Sequence, residues 1–266
     1  MSLKFAANLS FMFQEEQNLS KRYRAAKDAG FKFVEVGFPY DCGESLESIV
    51  NAKKEAGIEQ VLVNAYPGDL KNGEMGIAAL PHKRKEFQDK LELSIQYARA
   101  LDCKRMHILA GLQPVYDDKT MEEEYLNNIE YAATRLQKEG ILALIEPINS
   151  RVSFPKYFLS QPEKALKYVK KVNHPNLKMQ FDFFHVQIMD GNLTSKLKEY
   201  LPHIGHIQIS QVPDRGEPDD GGEINYRYIF KLLEDLHYDG YIGLEYKPRG
   251  DTVEGLKWVK EMGYSL

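Results

Sequence analysis

Four apolar runs in the second half of the chain each close on a side chain that carries an oxygen donor. Glu146 closes LALIE, Asp182 closes LKMQFD, Gln208 closes IGHIQ and Glu245 closes YIGLE. One carboxylate at a strand end commonly caps the next helix or pairs with a nearby base. Four in succession point elsewhere. Neighbouring strands lie about 4.8 Å apart, so four inward-facing ends converge on one small volume, where three carboxylates repel unless a cation or protons intervene. Three carboxylates and an amide oxygen are hard ligands that suit Mg²⁺ or Mn²⁺, whereas zinc recruits more His or Cys.

Other polar residues gather around these ends. His185 falls three residues beyond Asp182, on the loop leaving the sixth strand, where it can donate a hydrogen bond to a substrate oxygen. Glu35, on the second strand, and Asn64 and Tyr66, around the end of the third, are read as pocket wall. His107 and His206 lie inside strands and are expected to be satisfied core histidines. The segment 211–225 is long, polar and stiffened by two prolines, which suits a lid. Within it, Arg215 can pair bidentately with a substrate carboxylate. Lys247 and Arg249 read as solvated loop bases.

Such a convergence requires a scaffold that brings strand ends together. Short β-rich runs alternate with amphipathic segments along the whole chain, which is the pattern of βα units and a parallel sheet. Eight strands are expected to end near Asn8, Val36, Asn64, Leu109, Glu146, Asp182, Gln208 and Glu245. Phe87, Leu91, Ile95 and Ala98 recur at helical spacing, as do Leu166 and Val169 behind Ser160-x-Pro162-Glu163. Gly30, Gly57 and Gly140 follow periodic segments, where a left-handed helix end is needed. The first strand is followed by Leu9-Ser-Phe-Met-Phe13 in place of G-x-G-x-x-G, and no P-loop or G-x-S-x-G elbow occurs. The expected fold is therefore α/β, a single (β/α)₈ TIM-type barrel over residues 1–266, with its site at the C-terminal ends of the strands.

The composition agrees with that choice. The 266 residues are 43% hydrophobic and 28% charged, which supports a packed core and excludes a disordered chain. Thirty-five basic against 39 acidic residues give a net charge of −4, a poor match to a phosphate backbone or an anionic membrane, so neither nucleic acid nor membrane is expected as a partner. Cys42 and Cys103 form no C-x-x-C pair, and the C-terminus lacks an S-K-L signal. The expected address is cytoplasmic; a homo-oligomer stays open.

The motifs Glu146-Pro-Ile-Asn149, Asp182-x-x-His185, His206-x-Gln208, Val212-Pro-Asp-Arg215, Gly221-Gly-Glu-Ile-Asn-Tyr226 and Gly243-Leu-Glu-Tyr-Lys-Pro248 complete the reading. Together they resemble the hydroxypyruvate isomerases of the xylose-isomerase-like barrel superfamily, over essentially the whole chain. The resemblance implies interconversion of hydroxypyruvate and 2-hydroxy-3-oxopropanoate (tartronate semialdehyde). It implies a divalent metal on Glu146, Asp182, Gln208 and Glu245, with Glu146 and Glu245 exchanging protons with the substrate. It departs from the family pattern at Gly216, where a histidine follows the lid arginine, at Asp220-Gly221 before Gly222-Glu223, and at Met75, where an arginine is expected. Such an isomerisation needs two acid/base groups and a cation and no organic cofactor. The substrate class is a small hydroxy-carbonyl acid. The rivals are a ketose 3-epimerase or other sugar isomerase of the same superfamily, an abasic-site endonuclease with a His-rich zinc cluster, and a catalytically silent binding barrel.

Overall fold

The computed structural model describes residues 3–113 and 118–266. Eight parallel strands form a closed barrel in chain order: β1 Lys4–Asn8, β2 Phe33–Val36, β3 Glu59–Asn64, β4 Arg105–His107, β5 Leu142–Ile145, β6 Leu177–Asp182, β7 Ile204–Ile209 and β8 Tyr241–Leu244. Closure comes from β1 pairing with β8, Ala6 opposite Gly243 and Ala7 opposite Leu244. The strands are mostly apolar, as barrel strands are buried on both faces, with polar residues at their ends and in the layer beneath the site. Outside them, Phe87, Leu91, Ile95 and Ala98 form the buried stripe of the helix Arg84–Ala100. Leu166 and Val169 do the same in the helix Pro162–Val172, with Pro162 at its first turn. Phe5 of β1 meets Phe230, Trp258 and Tyr264 at ring-centroid distances of 5.5, 5.7 and 5.8 Å, so the last helices cover the seam where the barrel closes. No helix among the described residues is long and apolar enough to cross a membrane.

Two local differences from the sequence expectation have physical causes. The fourth strand stops at His107, two residues before the expected Leu109. There the chain turns aside to the loop that follows β3: Ala79 N–H donates to Ala110 O at 2.7 Å, and Gly76 bridges Ala110 in antiparallel fashion. The segment after β6 is a helix, Phe183–Met189, in place of a loop, and Asp182 caps it by accepting from Phe184 N–H at 2.9 Å.

The bridge at Gly76 explains that glycine. Its φ is +95°, and a Cβ there would lie 2.6 Å from the backbone of Leu109. Gly57, which ends the helix Leu46–Ala56, has φ +61° and open space around it. Gly57→Ala should therefore cost about 1 kcal/mol, the left-handed penalty alone. Gly76→Ala should cost at least about 2 kcal/mol more, because overpacking against backbone is added. Chemical denaturation of both variants checks this; equal losses would refute the close-approach reading of Gly76.

Candidate active site

The C-terminal ends of the strands bring the sequence-derived residues together. One ligand atom each from Glu146, Asp182, His185 and Glu245 lies within 4.8 Å of the others. Glu146 and Glu245 stand one residue past β5 and β8, where the strand ends and the side chain still points inward. Glu146, Asp182 and His185 are buried and Glu245 is 14% exposed at its side chain, and Glu146, His185 and Glu245 line a cavity of about 470 Å³. Asn64 and Met75 also line that cavity, and the Asn64 amide makes no hydrogen bond within the described chain.

Each carboxylate divides its two oxygens between scaffold and site. Asp182 Oδ1 caps the next helix, while Oδ2 faces Arg215 Nη2 at 3.3 Å and His185 Nε2 at 3.5 Å. Glu245 Oε1 accepts from Asn8 at 3.0 Å and Gln208 at 3.2 Å, and Oε2 pairs with Arg215. Glu146 Oε2 accepts from Gln180 at 3.0 Å, whereas the buried Oε1 has no hydrogen-bond partner. An unbonded buried carboxylate oxygen is costly and marks a position for a ligand. Asp182 is thus both a helix cap and a site residue.

His185 has its tautomer set by the surrounding network. Asn149 Oδ1 accepts from Val152 and Ser153 N–H, so its amide nitrogen turns to His185 Nδ1 at 2.7 Å. Nδ1 is then the acceptor, and the proton sits on Nε2, which faces Asp182 Oδ2 and Glu146 Oε1 at 3.5 and 3.9 Å. A protonated Nε2 is a donor, not a metal ligand, which agrees with a hydrogen bond to substrate. Arg215 reaches the site from the lid with its guanidinium between the rings of Phe11 and Phe184, 5.0 and 4.9 Å from their centroids. The lid itself is pinned: Gln211 Nε2 donates to Asp219 O and Ile224 O at 2.8 and 3.0 Å, and Arg249 pairs with Glu217 at 2.7 Å and with Asp219.

Several expectations change here. Arg249 is a lid latch and Lys247 lines the cavity, so neither is merely a solvated base. His107 is not a satisfied core histidine: neither ring nitrogen is hydrogen-bonded, and Nδ1 stands 3.4 Å from Glu146 Oε2. His206 keeps the core role through one nitrogen, 2.7 Å from Glu35 Oε2. Glu35 is fully buried and lies below the cavity, outside its lining. Tyr66 packs against Tyr40 and Lys90, likewise outside the lining. The sequence gives no role to Asn8, the end of the first strand, to Asn149 or to Gln180, although Gln180 follows from stepping two residues back from Asp182.

The donor set fits a divalent cation: three converging carboxylates, one with a bare buried oxygen, are hard ligands in need of positive charge. Gln208 lies beside them, its Oε1 accepting from Gln180 at 2.7 Å.

The profile of the family described as "Xylose isomerase-like TIM barrel" matches residues 23–262. The chain belongs to that family, and within it the chain is an isomerase. A Danio rerio protein provisionally named hydroxypyruvate isomerase is 49% identical over 97% of this chain and 95% of its own. A Cupriavidus necator protein named 2-oxo-tetronate isomerase is 43% identical over 97% of each. A crystal structure from Brucella melitensis titled "AP endonuclease, family 2" superposes with a TM-score of 0.93 at 43% identity, covering 97% of this chain and 98% of that one.

Burial, and then repulsion by Glu245 and Asp182, holds the Glu146 carboxyl well above the usual range. Burial pushes Asp182 up to about 6 and Glu245 up to about 8, with Arg215 opposing both. Burial also holds His185 and His107 neutral, the latter down to about 3. The two sets have opposite linkage. The lowered histidines stabilise the fold above their unfolded value and lose that contribution as pH falls below about 6.5. A raised carboxylate favours the fold while protonated and loses that contribution as pH rises through its folded value. Between pH 7 and 8.5 the histidine contribution is constant and the Glu245 contribution is falling. In chelator, the wild-type melting temperature should therefore drop across this window, and Glu245→Gln should flatten the drop. Parallel curves for the two proteins would contradict the raised Glu245.

Proposed function

We propose that the chain interconverts hydroxypyruvate and 2-hydroxy-3-oxopropanoate through an enediolate, with a Mg²⁺ or Mn²⁺ ion held by Glu146, Asp182, Gln208 and Glu245. The observation that carries this reading is the three-carboxylate cluster around the unbonded Glu146 Oε1. The cation, when bound, supplies Lewis-acid polarisation of a carbonyl and countercharge for an oxyanion. The protein's own groups move the protons. In hydroxypyruvate, a C–H bond breaks at the hydroxymethyl carbon and another forms at the neighbouring carbon, while a proton passes between the two oxygens. Glu146 accepts the carbon-bound proton once the bound cation has displaced its own, through whichever of its carboxylate oxygens the ion leaves free. Glu245 is the second acid/base group, steadied by Asn8 and Gln208. His185 Nε2–H donates to a substrate oxygen, and Asn64 offers an unbonded amide.

The substrate's carboxylate would add a fourth negative charge to this pocket, so it needs Arg215, whose pairing with Asp182 and Glu245 it would share or replace. A second reading, a four-carbon 2-oxo acid such as 2-oxo-tetronate, is supported by the 43% identical relative named 2-oxo-tetronate isomerase. An abasic-site endonuclease agrees less well with a cluster of three carboxylates and one histidine in a chain of net charge −4. The protein's place in the cytoplasm and any homo-oligomer remain part of this proposal.

Chelated enzyme should lose turnover and regain it with Mn²⁺ or Mg²⁺. Glu146→Gln should lower kcat on hydroxypyruvate by at least about 10²-fold. Arg215→Met should raise KM for the anionic substrates and leave a neutral ketohexose unaffected. Kinetics on a panel of three- to six-carbon hydroxy-carbonyl compounds checks all of this. Better turnover of ketohexoses than of hydroxypyruvate or 2-oxo-tetronate, with no effect of Arg215→Met, would replace this reading with a ketose epimerase.

A further inference from the structure

Residues two apart on a strand face the same side, so each rim residue has a companion one layer deeper in the barrel. Below Asp182 is Gln180, below Gln208 is His206, and below Glu245 is Gly243. The position without a side chain is filled by Glu35 of β2, two strands away around the closed barrel. A Cβ on residue 243 would stand 2.4 Å from both Glu35 carboxylate oxygens.

Glu35 is 0% exposed, and two of its three side-chain partners, Asn8 and Gln208, stand at the strand ends. Its Oε2 pairs with His206 Nε2 at 2.7 Å. Its Oε1 accepts from Asn8 Nδ2 at 2.9 Å and from Gln208 Nε2 at 2.7 Å. Those two amide nitrogens are the same ones that donate to Glu245 Oε1. A primary amide has nearly the same shape after a half-turn, so only its partners decide which way the oxygen points. With the Gln208 nitrogen committed to Glu35 and Glu245, its Oε1 is turned to the side of Gln180, whose Nε2 also holds Glu146 Oε2.

We propose that Glu35 is a positioning residue: clamped by His206 and given room by Gly243, it locks the Asn8 and Gln208 amides so that Gln208 presents its oxygen to the ligand cluster. It acts through Gln208 and touches no substrate. This inference rests on the cation reading above and deepens it. Outer partners of this kind are worth about 10–100-fold in metal affinity.

The test is calorimetric titration of the chelated full-length chain with Mn²⁺. Absence of Mn²⁺ binding by the wild type would bring down the cation reading itself. Given wild-type binding, Glu35→Gln, which replaces one acceptor by a donor, should weaken Mn²⁺ affinity at least tenfold with the near-ultraviolet circular dichroism of the fold retained. In a Gln208→Ala background the same substitution should add less than about twofold. Unchanged affinity in Glu35→Gln, or losses that multiply in the double variant, would overturn the proposal. Should Glu35→Gln fail to fold, His206→Gln, which can still donate to Glu35, is compared with His206→Met, which cannot. The proposal expects near-wild-type affinity in the first and at least a tenfold loss in the second; equal affinities would overturn it.

Discussion

Three carboxylates, Glu146 and Asp182 buried and Glu245 nearly so, offer oxygens within 4.8 Å of one another in the barrel mouth. At an effective dielectric of about 20, two unit charges at that distance repel by about 3.5 kcal/mol. Three such pairs approach about 10 kcal/mol, the size of a typical domain's whole stability. The fully ionised cluster therefore cannot stand alone. Protons, a protein cation or a divalent ion must be present, and the structure holds the first two in readiness: raised carboxyl groups and the Arg215 guanidinium.

The same constraint shapes the lid. Arg215 adopts φ +55°, a left-handed conformation that costs a non-glycine residue about 1–2 kcal/mol, and the ion pairs with Asp182 and Glu245 offset it. Its backbone is held on both sides, N–H to Gln211 O and O to Lys247 N–H, each at 2.8 Å. Latching of Glu217 and Asp219 by Arg249 ties the lid to the loop after β8, which carries Glu245. A charge problem in the barrel mouth thus fixes the positions of a side chain, a loop and a strand end together.

Much of this was legible in the sequence because barrel chemistry is punctuated by the ends of apolar runs. Glu146, Asp182, Gln208 and Glu245 each close such a run, and a parallel barrel brings consecutive ends together whatever lies between them. The deeper layer was hidden for a physical reason. Glu35 reads as ordinary pocket wall until the absent side chain at Gly243 is seen to leave room for it, a relation between strands that lie far apart in the chain. His107 reads as a core histidine because burial alone does not reveal whether a partner exists. The early end of β4 depends on a tertiary bridge to Gly76 that no local pattern announces. Asp182 shows that capping and chemistry are compatible, because a carboxylate has two oxygens and the helix needs only one.

The claim at the centre of this account is that the carboxylate cluster keeps protons until a divalent cation replaces them. Calorimetric titration with Mn²⁺ at pH 7 in buffers of different ionisation enthalpy measures the protons released for each ion bound. One ion bound per chain, with release of about one proton that diminishes in Glu245→Gln, is the predicted result. Binding with no proton release, or no binding at all, would contradict it.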